Sequence, residues 1–132
     1  GLGDVYKRQT STHDMTPLRN WWKEDPEKTQ RYYNHVLQRI GEAPDECTAE
    51  IVAQIISNHL KTRSMLTIIP LQDWFAMDDS IKRKDIESER INVPANSTHY
   101  WRYRMHITLE QLLQADNLNN KIVSLIKEAG RK

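Results

Sequence analysis

The chain is poor in the residues that most directly announce a chemistry. It has one cysteine, Cys47, in 132 residues. A single thiol excludes an internal disulfide, and its scarcity fits a reducing compartment, so a cytoplasmic location is expected. Only four glycines are present, and Gly1 and Gly3 stand at the very start. Gly41 and Gly130 are too isolated to build a glycine-rich phosphate loop. No serine sits in a G-x-S-x-G elbow, so an α/β-hydrolase nucleophile has no place. No apolar run is long enough to cross a bilayer, and no signal peptide is visible. Charge is balanced, with 19 Lys and Arg against 18 Asp and Glu, a net charge of +1. No bulk field therefore steers the protein to nucleic acid or to a membrane surface, and neither partner is expected. Hydrophobic residues make up 38%, which is lean for an independent core.

What is present is unevenly placed. The first nine residues, GLGDVYKRQ, stand apart. DVYKRQ is what one reading frame of a transposon end used in sequencing-library preparation encodes. Residues 1–9 are expected to be a foreign leader, with the protein proper entering at about Thr10. A natural exposed tail is the alternative.

Directly after it comes TSTHDMTPLRNWW, with the adjacent pair His13-Asp14 and two tryptophans. Asp25-Pro26 starts a helix, as an acidic N-cap with proline in the first turn. Tyr33, Val36, Leu37 and Ile40 continue it at helical spacing, and Gly41 is expected to end it. Thr48 caps a second helix with an apolar stripe of Ile51, Ile55, Ile56 and Leu60. MLTIIP, residues 65–70, is short, branched and nearly continuous. It reads as a strand buried on both faces, the pattern of a parallel sheet. Gln72 and Asp73 follow directly, at the strand's C-terminal end, where α/β folds bind ligands. Residues 78–100 read as a long polar loop. Thr108 with Gln111 forms a capping box, and a last helix carries Leu118, Ile122, Leu125 and Ile126 up to Gly130.

Helices alternate with one buried strand, which is a β/α order. A parallel strand needs parallel neighbours, and no second strand is recognisable in the sequence. The expected fold is therefore α/β and incomplete: a terminal piece of a sheet or barrel.

His13-Asp14 alone is weak evidence of a site, since an acid beside a surface histidine also caps helices. His35, His59, His99 and His106 are scattered without ligand spacing, so no metal and no cofactor is expected. In residues 89–104, Tyr100, Trp101 and Tyr103 interleave with Arg102 and Arg104. Bases stack on such aromatics and sugar C–H faces pack on them, so this stretch suits single-stranded RNA or glycan. Core packing is the other reading, favoured for Tyr103. KRK at 82–84 reads as a solvated face.

STHD with TPLRNWW, then IPLQDW, then ERIN-x-P and YWRYR, resemble the C-terminal end of the 4-alpha-glucanotransferases, the amylomaltase or disproportionating-enzyme family, glycoside hydrolase family 77. The resemblance runs in order over about residues 10–132. It implies the C-terminal β/α units of a (β/α)8 barrel. It also implies transfer of α-1,4-glucan segments between sugars through a covalent glycosyl-enzyme intermediate. Pro94-Ala95-Asn96 and HYWRYR depart from the common bacterial pattern and are similar to the disproportionating enzyme 2-like subgroup, with maltose as donor and a branched glucan as acceptor. No starch-binding module of the kind usual upstream in that subgroup is recognisable within these 132 residues.

By the resemblance, Asp14 matches the carboxylate that stabilises the transition state, and His13 its sugar-binding neighbour. Gln72, Asp73, Arg90, Asn92 and Trp101 are the further candidates for binding glucan. The nucleophilic Asp and the acid/base Glu of the family have no counterpart here. A retaining mechanism needs such a pair roughly 5–5.5 Å apart. The fragment is expected to be inactive alone, and its missing partner to be an N-terminal part of the same polypeptide. An α-glucan hydrolase of the same superfamily is the rival enzyme.

Overall fold

The computed structural model describes residues 7–9, 16–91, 97–98 and 103–131, with only the backbone described for 7–9. Its elements, in order, are β1 (Lys7–Gln9), α1 (Leu18–Glu24), α2 (Pro26–His35), α3 (Ala49–Leu60), β2 (Leu66–Ile68), α4 (Leu71–Phe75), a 3-10 turn (Glu87–Glu89), α5 (Leu109–Leu113) and α6 (Asp116–Glu128). Strands β1 and β2 pair in parallel, with Lys7 opposite Leu66 and Gln9 opposite Ile68. Among the described residues the sheet has these two strands and does not close into a barrel. The β/α class is as expected, and one expectation is corrected. A parallel neighbour for β2 does exist, and it comes from the nine residues set apart above.

Helix α3 is the centre of the core. Thr48 accepts a hydrogen bond from the Ile51 N–H at 3.3 Å, as its place before the apolar stripe predicts. Ile51, Val52, Ile55, Ile56 and Leu60 are all buried. Around them pack Leu18 and Trp22 of α1, Leu37, Cys47, Phe75 to Met77, and Leu118 of α6. Burying each of these large aliphatic side chains stabilises the fold by roughly 1.5–3 kcal/mol. Trp22 also satisfies its polar edge, donating from Nε1 to Pro44 O at 2.8 Å. Burial pushes the Cys47 thiol up to about 12, with Asp73 adding to the shift, so this cysteine packs as an inert small apolar group.

Two local expectations fail for tertiary reasons. Helix α2 begins where expected, with the Asp25 carboxylate accepting from the Glu27 and Lys28 N–H groups. It ends at His35, before the Val36 and Ile40 positions of the predicted stripe. Leu37 is buried, but Val36 and Ile40 are exposed. The side-chain amides of Gln30 and Asn34 both reach the carbonyl of Gly41, and Asn34 also reaches Arg39 O. These bonds fold the chain back on the helix and compete with its continuation, with Gln38 taking the left-handed φ of 55°.

Strand β2 is the second failure. It is three residues long and not buried on both faces: Leu66 is 52% exposed and Ile68 37%, and Met65 just before it is exposed too. Its apolar character is that of a central strand, but with one neighbour its outer side has no covering layer among the described residues.

The C-terminal region follows its sequence signals. Thr108 and Gln111 exchange both bonds of the capping box. Helix α6 ends at Glu128 and is closed by Gly130, φ 72°, with Gly130 N–H on Lys127 O and Arg131 N–H on Ile126 O. That pair of bonds is a Schellman motif, which satisfies the last carbonyls of the helix. The Arg131 side chain then donates to Leu60 O, Thr62 O and Ser64 O, clamping α6 to the segment that leads into β2.

Candidate active site at the C-terminal ends of the strands

Parallel strands deliver their C-terminal ends to one side of the sheet. Gln9 lies opposite Ile68, so β1 and β2 end at the same edge of the sheet. In β/α folds that edge carries the site. The segment after β1 contains His13-Asp14, and the segment after β2 contains Gln72-Asp73. His13, Asp14, Asn92 and Trp101 lie outside the described residues, so the site is built from what surrounds them.

Asp73 is 1% exposed on the short helix α4, and its Oδ1 accepts from the Leu18 N–H at 3.0 Å. Leu18 is the first residue of α1, and Pro17 before it supplies no side-chain cap. Asp73 therefore caps α1 from another element, placing a carboxylate at the positive end of that helix. Gln72, also buried, donates from Nε2 to Glu89 O at 3.3 Å. Both residues sit where their position after the strand predicts, but they face protein groups. Arg90 is partly buried and lies 3.7 Å from Glu87 Oε2, and its buried Nε has no hydrogen-bond partner among the described residues. The pairing of Arg90 is thus with Glu87.

The residues that join these segments were not among the candidates. Arg19 on α1 is buried and lies 3.5 Å from the Glu89 carboxylate, which is 1% exposed. Its Nη1 also donates to Arg83 O at 2.7 Å. Asn20 donates from Nδ2 to Glu87 Oε1 at 3.1 Å. Arg83 stacks 5.3 Å from the centre of the Tyr103 ring and donates to Ser88 O and Arg104 O. KRK at 82–84 is therefore not wholly a solvated face, since Arg83 holds two carbonyls and a ring. Burial raises the Glu89 carboxyl to about 7, with Arg19 opposing the shift and Asp73 adding to it. Burial likewise raises the Tyr103 hydroxyl. The signal for this cluster is slight: Arg19 and Asn20 are polar residues between Leu18 and Trp22 in an otherwise apolar turn.

The result is a polar knot. It ties the helix following His13-Asp14 to the helix following β2 and to the loop that leads into Asn92. Separately, Thr16, Leu18, Trp21, Glu24, Tyr32 and His59 help line a mainly apolar cleft of about 330 Å³. Trp21 and Tyr32 meet there edge to face, with centroids 5.2 Å apart. Among the described residues, no group of three His, Cys, Asp or Glu side chains is placed to hold a metal ion.

The family profile described as 4-alpha-glucanotransferase matches residues 6–110, a span that includes every segment of the knot. The chain belongs to the 4-alpha-glucanotransferase family. The 4-alpha-glucanotransferase DPE2 of Oryza sativa subsp. japonica is 39% identical over 135 residues, covering 99% of this chain and 14% of the rice protein. The 4-alpha-glucanotransferase of Chlamydia trachomatis serovar D is 30% identical over 118 residues, covering 87% and 21%. The chain thus spans about a seventh to a fifth of these 4-alpha-glucanotransferases. In fold it is similar to an amylomaltase from Streptococcus agalactiae solved in complex with acarbose, with a TM-score of 0.67 at 18% identity. That match covers 95% of this chain and 22% of the amylomaltase.

Proposed function

We propose that this chain is the C-terminal β/α part of the catalytic barrel of a longer 4-alpha-glucanotransferase. The observation that carries the reading is the family match over residues 6–110, which holds all three segments meeting at Arg19. The reaction is transfer of an α-1,4-glucan segment to a glucose, maltose or glucan acceptor with retention. Asp14 stabilises the transition state, while His13, Arg90, Asn92 and Trp101 bind sugar. Gln72 and Asp73 hold the segments that carry them. The nucleophile and the acid/base come from an N-terminal part of the same polypeptide.

The physical case for Asp14 is specific. The transition state of glycosyl transfer is oxocarbenium-like, and hydrogen bonds to the sugar hydroxyls strengthen as it forms. A carboxylate held against those hydroxyls favours the transition state over the ground state. Asp14→Asn in the full-length protein keeps the shape and removes the charge. The expected loss in kcat is on the order of 10²-fold, the scale of one preorganised electrostatic stabiliser. Melting temperature should barely move. Normal turnover with a stability loss of about 1 kcal/mol would instead mark Asp14 as a helix cap.

A further inference from the structure

The cleft beside Trp21 reaches from the surface down to the central core. Helix α3 contributes Ile55 and His59 to it, α1 contributes Leu18 and Trp21, and α2 contributes Tyr32. Ile55 is 1% exposed and Leu18 is also buried, so the cleft is floored by side chains of the core cluster itself. Trp21 and Tyr32 pack against that cluster but are only partly buried. Their rings stand at 79° to each other, so they form a corner and not a flat platform. The polar lining is paired internally, with Thr16 Oγ1 donating to Glu24 Oε1 at 2.8 Å. What the cleft offers an occupant is therefore apolar surface. At about 330 Å³ it takes the side chains of one helix face, not a whole helix, whose diameter is about 10 Å.

Topology says what belongs next to α3. Helix α3 leads into β2, and α6, which follows β2, packs on α3 with Leu118 in the shared core. No residue of α6 lines the cleft. In a β/α layer each crossover helix lies between neighbouring helices. One flank of α3 is taken by α6, and the flank towards α1 and α2 holds the cleft. The relatives have ample chain to fill it: this one covers 14% of the rice protein and 22% of the Streptococcus agalactiae amylomaltase. We propose that the cleft is the seat of an apolar helix face from the N-terminal part of the same polypeptide, which covers Trp21 and Tyr32 and completes the layer of helices around α3. The inference rests on the glucanotransferase reading, which supplies that N-terminal part. Large aromatic side chains that are half-covered on their own are the usual anchors of such an interface.

The test is hydroxyl-radical footprinting of the full-length protein, reading oxidation of Trp21 against Trp22 by mass spectrometry. The two side chains have the same intrinsic reactivity, and Trp22, at 2% exposure, is the internal standard for a covered ring. Trp21 should oxidise as slowly as Trp22, with or without maltotriose. His59→p-benzoylphenylalanine, illuminated in the full-length protein, should cross-link to a peptide upstream of Thr10. Oxidation of Trp21 severalfold faster than Trp22 would overturn the proposal, because the cleft would then be open. Protection that appears only with maltotriose would overturn it and give the cleft to glucan. Cross-links confined to residues 10–132, cross-links to a second copy, or none at all would overturn it as well. If the position 59 variant does not fold, the same substitution at Glu24, which is exposed, replaces it, and if neither folds the wild-type footprint decides. Maltotriose redistribution by the same preparation separates the two readings. An open cleft in an active transferase overturns this inference alone, and a protein that redistributes nothing overturns the functional reading and this inference with it.

Discussion

Asp73 separates a structural role from a substrate role in one residue. Its carboxylate is the partner of the Leu18 N–H, at 3.0 Å and out of contact with solvent. The Leu18 N–H opens α1 and has no acceptor inside the helix. Replacing Asp73 by Ala leaves this donor buried and unpaired, a cost of about 1–3 kcal/mol, and a bond to a charged acceptor sits at the upper part of that range. The favourable charge at the start of α1 goes as well, a further few tenths to about 1 kcal/mol. The expected loss is about 2–4 kcal/mol for Asp73→Ala. Asp73→Asn keeps an acceptor oxygen in the same place and should lose about 1 kcal/mol. Each variant is made in the full-length protein, and its urea midpoint and its KM for maltotriose are read on one preparation. The structural role predicts a lowered midpoint in the order wild type, Asn, Ala, with KM little changed. A raised KM in Asp73→Asn with an unmoved midpoint would refute it and return Asp73 to the sugar.

Trp101→Ala in the full-length protein should raise the acceptor concentration needed for transfer and leave the melting temperature in place; unchanged kinetics with glucose, maltose and glycogen would remove Trp101 from the site. The 132-residue chain purified alone should show no cooperative thermal transition, because Leu66 and Ile68 of β2, Met65 before it, and Leu109 and Leu113 of α5 are exposed, and small net stability tolerates little unburied core. A sharp melt would contradict this. The genomic sequence upstream of Thr10 should differ from GLGDVYKRQ while continuing in frame; the same nine residues in the genome would make them native, and β1 with them.

Much of the fold is legible because its signals are local. Asp25, Thr48 and the Thr108–Gln111 pair cap helices through bonds within three residues, and the stripe of α3 needs only its own period. The end of α2 is not local. It depends on Gln30 and Asn34 reaching across to Gly41, which no periodicity encodes. The site divides in the same way. The position of Gln72 and Asp73 after a strand could be read from MLTIIP, but their burial could not. Asp73 faces inward because Leu18, 55 positions earlier, needs an acceptor. Arg19 and Glu89 are 70 positions apart and belong to different motifs, so only the fold brings them together.

The central claim, that this chain serves a glucanotransferase, is tested most directly by incubating the full-length protein with maltotriose and resolving the products by length. Transfer predicts a ladder of longer malto-oligosaccharides appearing together with glucose or maltose, with total reducing ends constant. Reducing ends that rise steadily, with no product longer than maltotriose, would show hydrolysis and contradict the account.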